Sequence, residues 1–471
     1  MSTNQKPNVL FILADEWRAQ ATGYSGDPNL KTPHLDQLAK ESLNVSHAVS
    51  GLPVCCPYRA SLMTGRYPIG HGVVVNDMEL DPSLPNLGMS FSEGGYDTAY
   101  IGKWHIYGSP DGKYTRRTQP VPPTHLLGFK SWRGFECNHD YWDASYFEDG
   151  GTEAKTWEGY EPFAQTDQAI DYIKNRKTES EPYFMILSWG PPHFPLHTAP
   201  DEYRKRFENR EIILRENVPE SKREQATEEL RGYYAHIEAL DDALGLLLEA
   251  VDAHDPENTM VVFTADHGDM SQSHGLPHKL YPFEESIGVP FLCRWPLGWG
   301  RDGRELALPL DAPDLMPTLQ GLCGLPQTEG VQGRDYSSVL RGDEPVEADA
   351  CAILNAPIAY AWLNRMGFSA YRGVRTARHT YVRLEDGRGL LYDLVKDPYQ
   401  LENLFGLDSH AELQTKMETL LLKRLDEIDD PFESGKVLTE KYGVGHYDEV
   451  SSKPMEPDHP HFWAWPSPQV G

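Results

Sequence analysis

The feature that most constrains this chain is a series of short apolar runs that alternate with helical patterns. The five runs are residues 8–14, 97–101, 183–189, 259–265 and 289–294. Strands that are apolar along their whole length are typical of a parallel sheet that is buried on both faces. Helical patterns at residues 32–41 and 222–252 lie between some of these strands. The alternation predicts an α/β fold with a mainly parallel sheet flanked by helices.

The pattern changes near Pro357, where alternating apolar and polar residues replace the continuous apolar runs. Segments 368–375, 380–384 and 390–394 alternate as antiparallel strands do, and segment 411–428 has the pattern of one amphipathic helix. We therefore expect a smaller α+β domain after the α/β domain.

The expected boundaries are a large α/β domain that carries the functional site over residues 1–356, the α+β domain over 357–450, and a tail over 451–471. The tail carries three large aromatic residues, Phe462, Trp463 and Trp465. Because such side chains have apolar area to bury, we expect the tail to be ordered and packed on a surface, with a flexible end as the alternative.

The 471-residue chain has a formal net charge of −28, which narrows the classes of partner. Because an acidic surface repels polyanions, nucleic acid is not expected as a partner, and an anionic substrate needs a local cluster of positive groups.

The six cysteines are too few for a disulfide scaffold in a chain of this size. No segment approaches a membrane span, and residues 9–14 are too short for a signal-peptide core. We expect no membrane partner and a cytoplasmic location for the chain as written, or a periplasmic or secreted one if a leader has been removed.

Polar side chains that can carry chemistry follow four of the predicted strands, at the point where each strand ends. They are Asp15 and Glu16, Lys103 and His105, His193, and Asp266 and His267. In open α/β sheets, ligands bind at the carboxyl ends of the strands. Any one of these residues has a plain alternative as a loop residue in solvent. Their joint placement at four strand ends predicts one shared site.

The pairs Asp15-Glu16 and Asp266-His267 are candidate metal ligands. Oxygen ligands from separate loops suit a hard cation such as Ca²⁺ or Mg²⁺, whereas the histidine also suits Mn²⁺ or Zn²⁺. The alternative is that the acids cap helices, where aspartate is common.

Two adjacent cysteines, Cys55 and Cys56, stand in segment 52–66, with Arg59 nearby. The segment has the pattern of a turn followed by the start of a helix. A thiol at a helix N-terminus beside an arginine has a lowered pKa and is reactive. A pair of buried structural cysteines is the alternative.

This segment closely resembles the signature of type I sulfatases. The match consists of Cys55, Pro57 and Arg59 at alternate positions, followed by Ala60-Ser61-Leu62-Met63-Thr64-Gly65-Arg66. Further segments resemble the family in the same order, at residues 8–17, 102–105, 191–193, 264–269, Lys279, 314–318 and 391–394. The resemblance covers about residues 8 to 405 and implies the large mixed sheet of the alkaline phosphatase superfamily. Two departures are Glu16, where the family often has a second aspartate, and Tyr58, where a small residue is common.

In this family a separate maturation enzyme oxidises the motif cysteine to formylglycine. The resemblance therefore implies a formylglycine nucleophile at Cys55 and one divalent cation, with Ca²⁺ expected and Mn²⁺, Mg²⁺ and Zn²⁺ as alternatives. The implied metal ligands are Asp15, Glu16, the residue at Cys55, Asp266 and His267. Asp266 would also act as the base for the nucleophile.

The remaining roles that the resemblance implies belong to basic side chains. Arg59 and Lys103 would hold the hydrated formylglycine and offset negative charge. Lys279 would bind a sulfate oxygen, and His193 would protonate the departing alcohol. His105 would then take a proton as sulfate leaves, which regenerates the aldehyde without attack by water.

The implied activity is hydrolysis of a sulfate ester, and segment 132–147 favours a sulfated carbohydrate as substrate. The segment combines aromatic rings with Asn138, His139 and Asp140. This mixture suits stacking and hydrogen bonding to a sugar, although a packed surface loop has the same composition.

Two other functions are alternatives to sulfate ester hydrolysis. A phosphonate monoester hydrolase or phosphodiesterase of the same superfamily is the first, but those relatives usually replace Lys103 and His105, which this chain retains. An inactive binder of sulfated glycans is the second, and it predicts loss of metal ligands or of Cys55. The sequence is compatible with either a monomer or an oligomer.

Overall fold

The computed structural model describes residues 6–176 and 181–451. The prediction for the tail, with Phe462, Trp463 and Trp465, falls outside the described residues and stays a prediction. Among the described residues, no helix is both long enough and apolar enough to cross a lipid bilayer.

Ten strands within the described residues form one mixed sheet. In chain order they are β1 (Asn8–Asp15), β2 (Leu43–Val45), β3 (Asp97–Lys103), β4 (Ser131–Phe135), β5 (Trp142–Glu148), β6 (Lys155–Tyr160), β7 (Tyr183–Pro192), β8 (Thr259–Ala265), β9 (Phe291–Arg294) and β10 (Arg304–Leu306). Their order across the sheet is β10-β2-β9-β8-β1-β7-β3-β4-β5-β6. The predicted α/β class is confirmed, and the sheet is mixed because β9 runs antiparallel to both β8 and β2.

Helices flank this sheet. In chain order the α-helices of the described residues are α1 (Pro33–Lys40), α2 (Cys55–Thr64), α3 (Pro68–His71), α4 (Leu87–Glu93), α5 (Glu161–Lys174), α6 (Asp201–Phe207), α7 (Arg223–His254), α8 (Glu284–Ile287), α9 (Pro296–Trp299), α10 (Ala312–Leu322), α11 (Ser337–Arg341), α12 (Ala361–Arg365), α13 (Ala411–Glu427) and α14 (Gly435–Lys441). Helices α5 and α7 pack on each other and on β7, whereas α2 packs on α10 and α4 packs against β3.

The four central strands, β8, β1, β7 and β3, are parallel neighbours, and this arrangement positions the site. They are buried along almost their whole length because they carry apolar residues on both faces. Ala14 of β1 lies opposite Ala265 of β8 and Trp189 of β7. Gly102 of β3 lies opposite Ser188 of β7. The polar residues that follow these positions therefore meet at one edge of the sheet.

A second, antiparallel sheet follows, made of β11 (Cys351–Ala356), β12 (Tyr371–Thr376), β13 (His379–Leu384) and β14 (Gly389–Asp393) in that order. Helix α13 packs against it through Met417, Leu421 and Leu425. Strand β11 lies before residue 357, where the second domain was expected to begin. The sequence of β11, Cys-Ala-Ile-Leu-Asn-Ala, is almost entirely apolar, so it lacks the alternation of apolar and polar residues by which the later strands were predicted.

Candidate active site

Cys55 is the first residue of α2, and its side chain lies at the edge where the parallel strands end. Its Sγ atom is 3.2 Å from His267 Nε2 and 3.6 Å from Asp15 Oδ1. The Sγ atom of Cys56 instead contacts the backbone oxygen of Met78 at 3.4 Å. Of the two adjacent cysteines, Cys55 is therefore the one that joins the acids.

The two thiols also differ in their electrostatic surroundings. Burial raises the pKa of the Cys55 thiol, but Lys103, Lys279 and His267 outweigh it and hold that pKa well below its usual value. Burial raises the pKa of the Cys56 thiol above its usual value. The reactive surroundings predicted for a cysteine in this segment belong to Cys55.

Asp15, Cys55, Asp266 and His267 form a buried cluster whose ligand atoms all lie within 4.8 Å of one another. His267 Nε2 is 3.5 Å from Asp266 Oδ1 and 3.7 Å from Asp15 Oδ1. His267 Nδ1 faces the backbone oxygen of Gly268 at 2.9 Å, which directs the Nε2 lone pair towards the cluster. Two carboxylates, an imidazole and the side-chain atom of residue 55 make a donor set that fits one divalent cation.

Arg59 and Lys103 bring positive charge to this cluster. Arg59 Nη2 is 3.0 Å from Asp266 Oδ2 and 3.3 Å from Asp15 Oδ2. Lys103 Nζ is 2.5 Å from Asp15 Oδ2 and 3.9 Å from Cys55 Sγ. Burial and Cys55 raise the pKa of the Asp15 carboxyl, but the cations around it, Lys103 first, outweigh both and lower that pKa below its usual value. Asp15 therefore stays ionised in a buried site.

Glu16 lies beside this cluster of four and not within it. The backbone turns at Glu16, whose φ of 68° is in the left-handed region. Its Oε2 atom is 3.1 Å from His193 Nε2 and 3.1 Å from Lys279 Nζ. The structure thus brings Glu16, His193 and Lys279 together next to the cluster, and a direct contact of Glu16 with a metal stays a prediction.

His105 follows β3 and also has a left-handed backbone, with φ of 54°. Its Nε2 atom is 3.6 Å from Asp77 Oδ1. Asp77 accepts hydrogen bonds from Arg117 Nε at 2.7 Å and from Arg117 Nη2 at 2.5 Å. Burial lowers the pKa of His105, but Cys137 and Asp77 outweigh it and raise that pKa well above its usual value. Asp77 and Arg117 are not among the residues predicted from the sequence. The two residues are 40 positions apart, and no motif spacing connects them.

A cavity of about 100 Å³ adjoins these groups. Side chains that line it are Cys55, His105, Arg117, His139, His193 and Lys279. The ring of His139 stacks on the ring of His193, with the centroids 4.3 Å apart. Of the three polar residues predicted to contact a sugar, His139 reaches this cavity. Its imidazole and basic groups outnumber its one carboxyl side chain, Glu449, and together suit a small anion.

The fold and the site define the class of protein. A mixed sheet whose parallel strands end in acids and histidines around a reactive residue is the arrangement of a hydrolase of the alkaline phosphatase superfamily. The family model "Sulfatase" matches residues 7–325, and the model "N-sulphoglucosamine sulphohydrolase, C-terminal" matches residues 272–427. The chain belongs to the sulfatase family.

Known proteins that are similar to most of the chain support this assignment. An ulvan-active sulfatase of Formosa agariphila is 39% identical over 441 residues, which cover 93% of this chain and 84% of that protein. A solved structure from work on the metabolism of multiple glycosaminoglycans by Bacteroides thetaiotaomicron has a TM-score of 0.81 at 29% identity, and the match covers 94% of this chain and 100% of that one. The chain is a hydrolase of sulfate esters.

The two alternative functions have less support. The phosphonate monoester hydrolase of Agrobacterium radiobacter has a TM-score of 0.73 at 23% identity, with 90% of this chain and 96% of that one covered, which shows a common fold alone. An inactive glycan binder should lack metal ligands or Cys55, yet Asp15, Cys55, Asp266 and His267 are present and gathered.

Proposed function

We propose that this sulfatase removes sulfate from a sulfated carbohydrate, after a separate maturation enzyme has converted Cys55 to formylglycine. The observation that carries the proposal is the buried cluster in which Cys55 meets two carboxylates, an imidazole and flanking cations. The substrate class is supported by the relatives, of which one is named as ulvan-active and another comes from work on glycosaminoglycan metabolism.

Asp15, Asp266, His267 and the side-chain oxygen of the converted residue 55 would hold one divalent cation. We propose Ca²⁺, because oxygen ligands predominate, with Mn²⁺, Mg²⁺ and Zn²⁺ as alternatives. When bound there, the cation would neutralise negative charge and make a hydroxyl of the hydrated formylglycine acidic enough to serve as the nucleophile. Asp266 would accept the proton of that hydroxyl.

Lys279 and His193 act on the sulfate ester itself. Lys279 Nζ lines the cavity and binds a sulfate oxygen. His193 Nδ1 faces the backbone oxygen of Phe194 at 2.8 Å, so Nε2 is the nitrogen that exchanges a proton. Burial and Lys279 hold the pKa of His193 well below its usual value, so its protonated form is a strong acid that would give this proton to the departing alcohol, and the Glu16 carboxyl at 3.1 Å is placed to replace it.

His105 acts after the alcohol has left. In its neutral form it would take a proton from the remaining hydroxyl of residue 55, while the C–O bond to sulfate breaks and the aldehyde C=O forms. Asp77 faces the imidazole at 3.6 Å and is itself fixed by Arg117, so the charge that His105 gains has a buried counter-charge. Asp77 is a positioning residue for His105.

The experiment that tests the proposal measures sulfate release from defined sulfated monosaccharides and oligosaccharides, with the Cys55→Ala variant as the blank. The same enzyme is compared on the sulfate, phosphate and phosphonate esters of one phenol. The proposal requires sulfate release from a carbohydrate and the highest kcat/KM on the sulfate ester. Hydrolysis of the aryl sulfate with no carbohydrate accepted would reject the substrate class, and a higher kcat/KM on a phosphodiester would favour the first alternative.

A further inference from the structure

A second, larger cleft of about 760 Å³ lies next to the small cavity. Phe194 and Trp362 line both the small cavity and this cleft. Phe194 directly follows His193, and Trp362 belongs to α12, in the part of the chain that precedes the second strand of the small sheet. Two aromatic side chains from distant parts of the chain therefore stand where the two spaces meet.

The two rings are held in place around a third one. The ring of His278 lies between them, with its centroid 4.9 Å from that of Phe194 and 4.8 Å from that of Trp362. The backbone oxygen of Trp362 accepts a hydrogen bond from the Tyr281 hydroxyl at 3.3 Å. Phe194 is 36% exposed and Trp362 is half-buried. Lys279 Nζ lies 5.7 Å from the ring centroid of Phe194, and the Arg365 guanidinium lies 5.0 Å from that of Trp362. Neighbouring apolar rings that remain partly exposed beside a cleft are a candidate binding surface.

The sizes of the two spaces limit what each can hold. The small cavity, at about 100 Å³, has less than a seventh of the volume of the cleft, so the compact sulfate group suits the small cavity and the bulkier carbon skeleton suits the cleft. The larger cleft lies within the range of volumes that hold small organic ligands. A carbon skeleton that extends from the small cavity into the cleft passes Phe194 and Trp362, which line both spaces.

The lining of the cleft suits groups rich in hydroxyls. Its arginines are already paired with acids: Arg204 Nη1 is 3.1 Å from Asp201 Oδ1, and Arg231 Nη1 is 3.2 Å from Glu228 Oε2. All four of these residues line the cleft. In all, six carboxylates and three basic side chains line the cleft, so it is acidic, which favours hydrogen bonds to sugar hydroxyls over capture of a further anion.

We infer that Phe194 and Trp362 form a stacking platform for the sulfated sugar, and that the cleft binds the sugar units that extend from it. The inference rests on the proposed carbohydrate substrate and deepens it: the preferred substrate is an oligosaccharide, not a sulfated monosaccharide. Aromatic faces pack well against the apolar faces of sugars, and the two rings lie on the path from the reacting bond to the cleft. Phe194 and Trp362 are thus specificity-determining residues.

The test compares KM for a sulfated tetrasaccharide and for the sulfated monosaccharide of the same sugar. The wild type should favour the tetrasaccharide, and Phe194→Ala and Trp362→Ala should each raise KM for it about tenfold, which corresponds to about 1.4 kcal/mol. Trp362→Phe should restore most of the affinity. Trp299→Ala is the matched control, because Trp299 is a half-buried tryptophan in the short helix α9 and lines neither space.

Competitive inhibition by inorganic sulfate separates a lost platform from a damaged site. Sulfate fills only the small cavity, whose charged groups the platform variants keep, so its inhibition constant should change much less than KM for the tetrasaccharide does. Equal kcat/KM of the wild type on both saccharides, or an unchanged KM in both platform variants, would overturn the inference while leaving the proposed function intact. Failure of the wild type to release sulfate from any carbohydrate would instead reject the proposed function.

Discussion

Replacing Asp77 by asparagine tests the proposed role of His105, because Asp77 is the carboxylate that faces the imidazole. The substitution keeps the size of the side chain and removes its charge. His105 gains positive charge when it takes a proton, and Asp77 stabilises that charge at 3.6 Å in a buried site. The loss should therefore appear in the step in which His105 takes the proton, and not in the departure of the alcohol.

The magnitude follows from the separation of the two groups. Two unit charges 3.6 Å apart interact by about 4–5 kcal/mol at an effective dielectric constant of about 20. If the proton is about half transferred in the transition state, the variant loses roughly half of this stabilisation, or about 2 kcal/mol. Because about 1.36 kcal/mol changes a rate tenfold, Asp77→Asn should slow the release of sulfate about 30-fold at a pH above the raised pKa of His105, where the imidazole starts neutral.

The assay is rapid-mixing hydrolysis of a chromogenic aryl sulfate, with release of the phenol and release of sulfate followed separately. Asp77→Asn should give a burst of phenol at a near-normal rate, followed by slow turnover. Glu79→Gln is the matched control, because Glu79 pairs with Arg116 and His125 in the same region, and it should turn over as the wild type does. A kcat for Asp77→Asn within about threefold of the wild-type value, or slow phenol release with no burst, would refute the reasoning.

Mass spectrometry of the peptide that spans Cys55 and Cys56 should show loss of sulfur at Cys55 alone in active protein; conversion at Cys56, or full activity of Cys55→Ala, would contradict the mechanism. Chelation of divalent cations should abolish activity and Ca²⁺ should restore it, and elemental analysis should find less bound metal in Asp266→Asn. Active protein without a stoichiometric cation would reject the metal site. Arg372→Met should lower the free energy of unfolding in denaturant by about 3–5 kcal/mol, because it leaves Asp430 charged and buried without its partner. The double variant Arg372→Met/Asp430→Leu should recover most of that loss, and equal losses in both variants would show that the pair is not the cause.

The fold was predictable because its central strands are unambiguous in the sequence. A run such as Asn8–Asp15 is apolar on both faces, and only a buried parallel strand accounts for it in an α/β pattern. Parallel strands place their carboxyl ends together, so the convergence of Asp15, Lys103 and Asp266 followed from their positions at the ends of predicted strands. Cys55 was predictable from its motif, and the structure adds why the neighbouring thiol of Cys56 is not equivalent.

Residues that act on the site from loops were not predictable in the same way. Arg117 and Trp362 line the cavity and Asp77 contacts His105, from segments whose direction depends on long-range packing. No period of 2 or 3.6 residues connects them to a strand end. Their positions could be found only once the chain was folded.

Glu16 shows where reasoning from strand ends is incomplete. Asp15 and Glu16 are adjacent, and the sequence treats them as one pair of ligands. Successive side chains of an extended segment point to opposite sides, so both carboxylates cannot face Cys55 unless the backbone turns. The left-handed turn at Glu16, which costs about 1–2 kcal/mol for a non-glycine residue, keeps its carboxylate near that of Asp15, where it contacts His193 and Lys279. A strained conformation retained at this position is explained if Glu16 serves the proton-transfer side of the site while Asp15 serves the cation side.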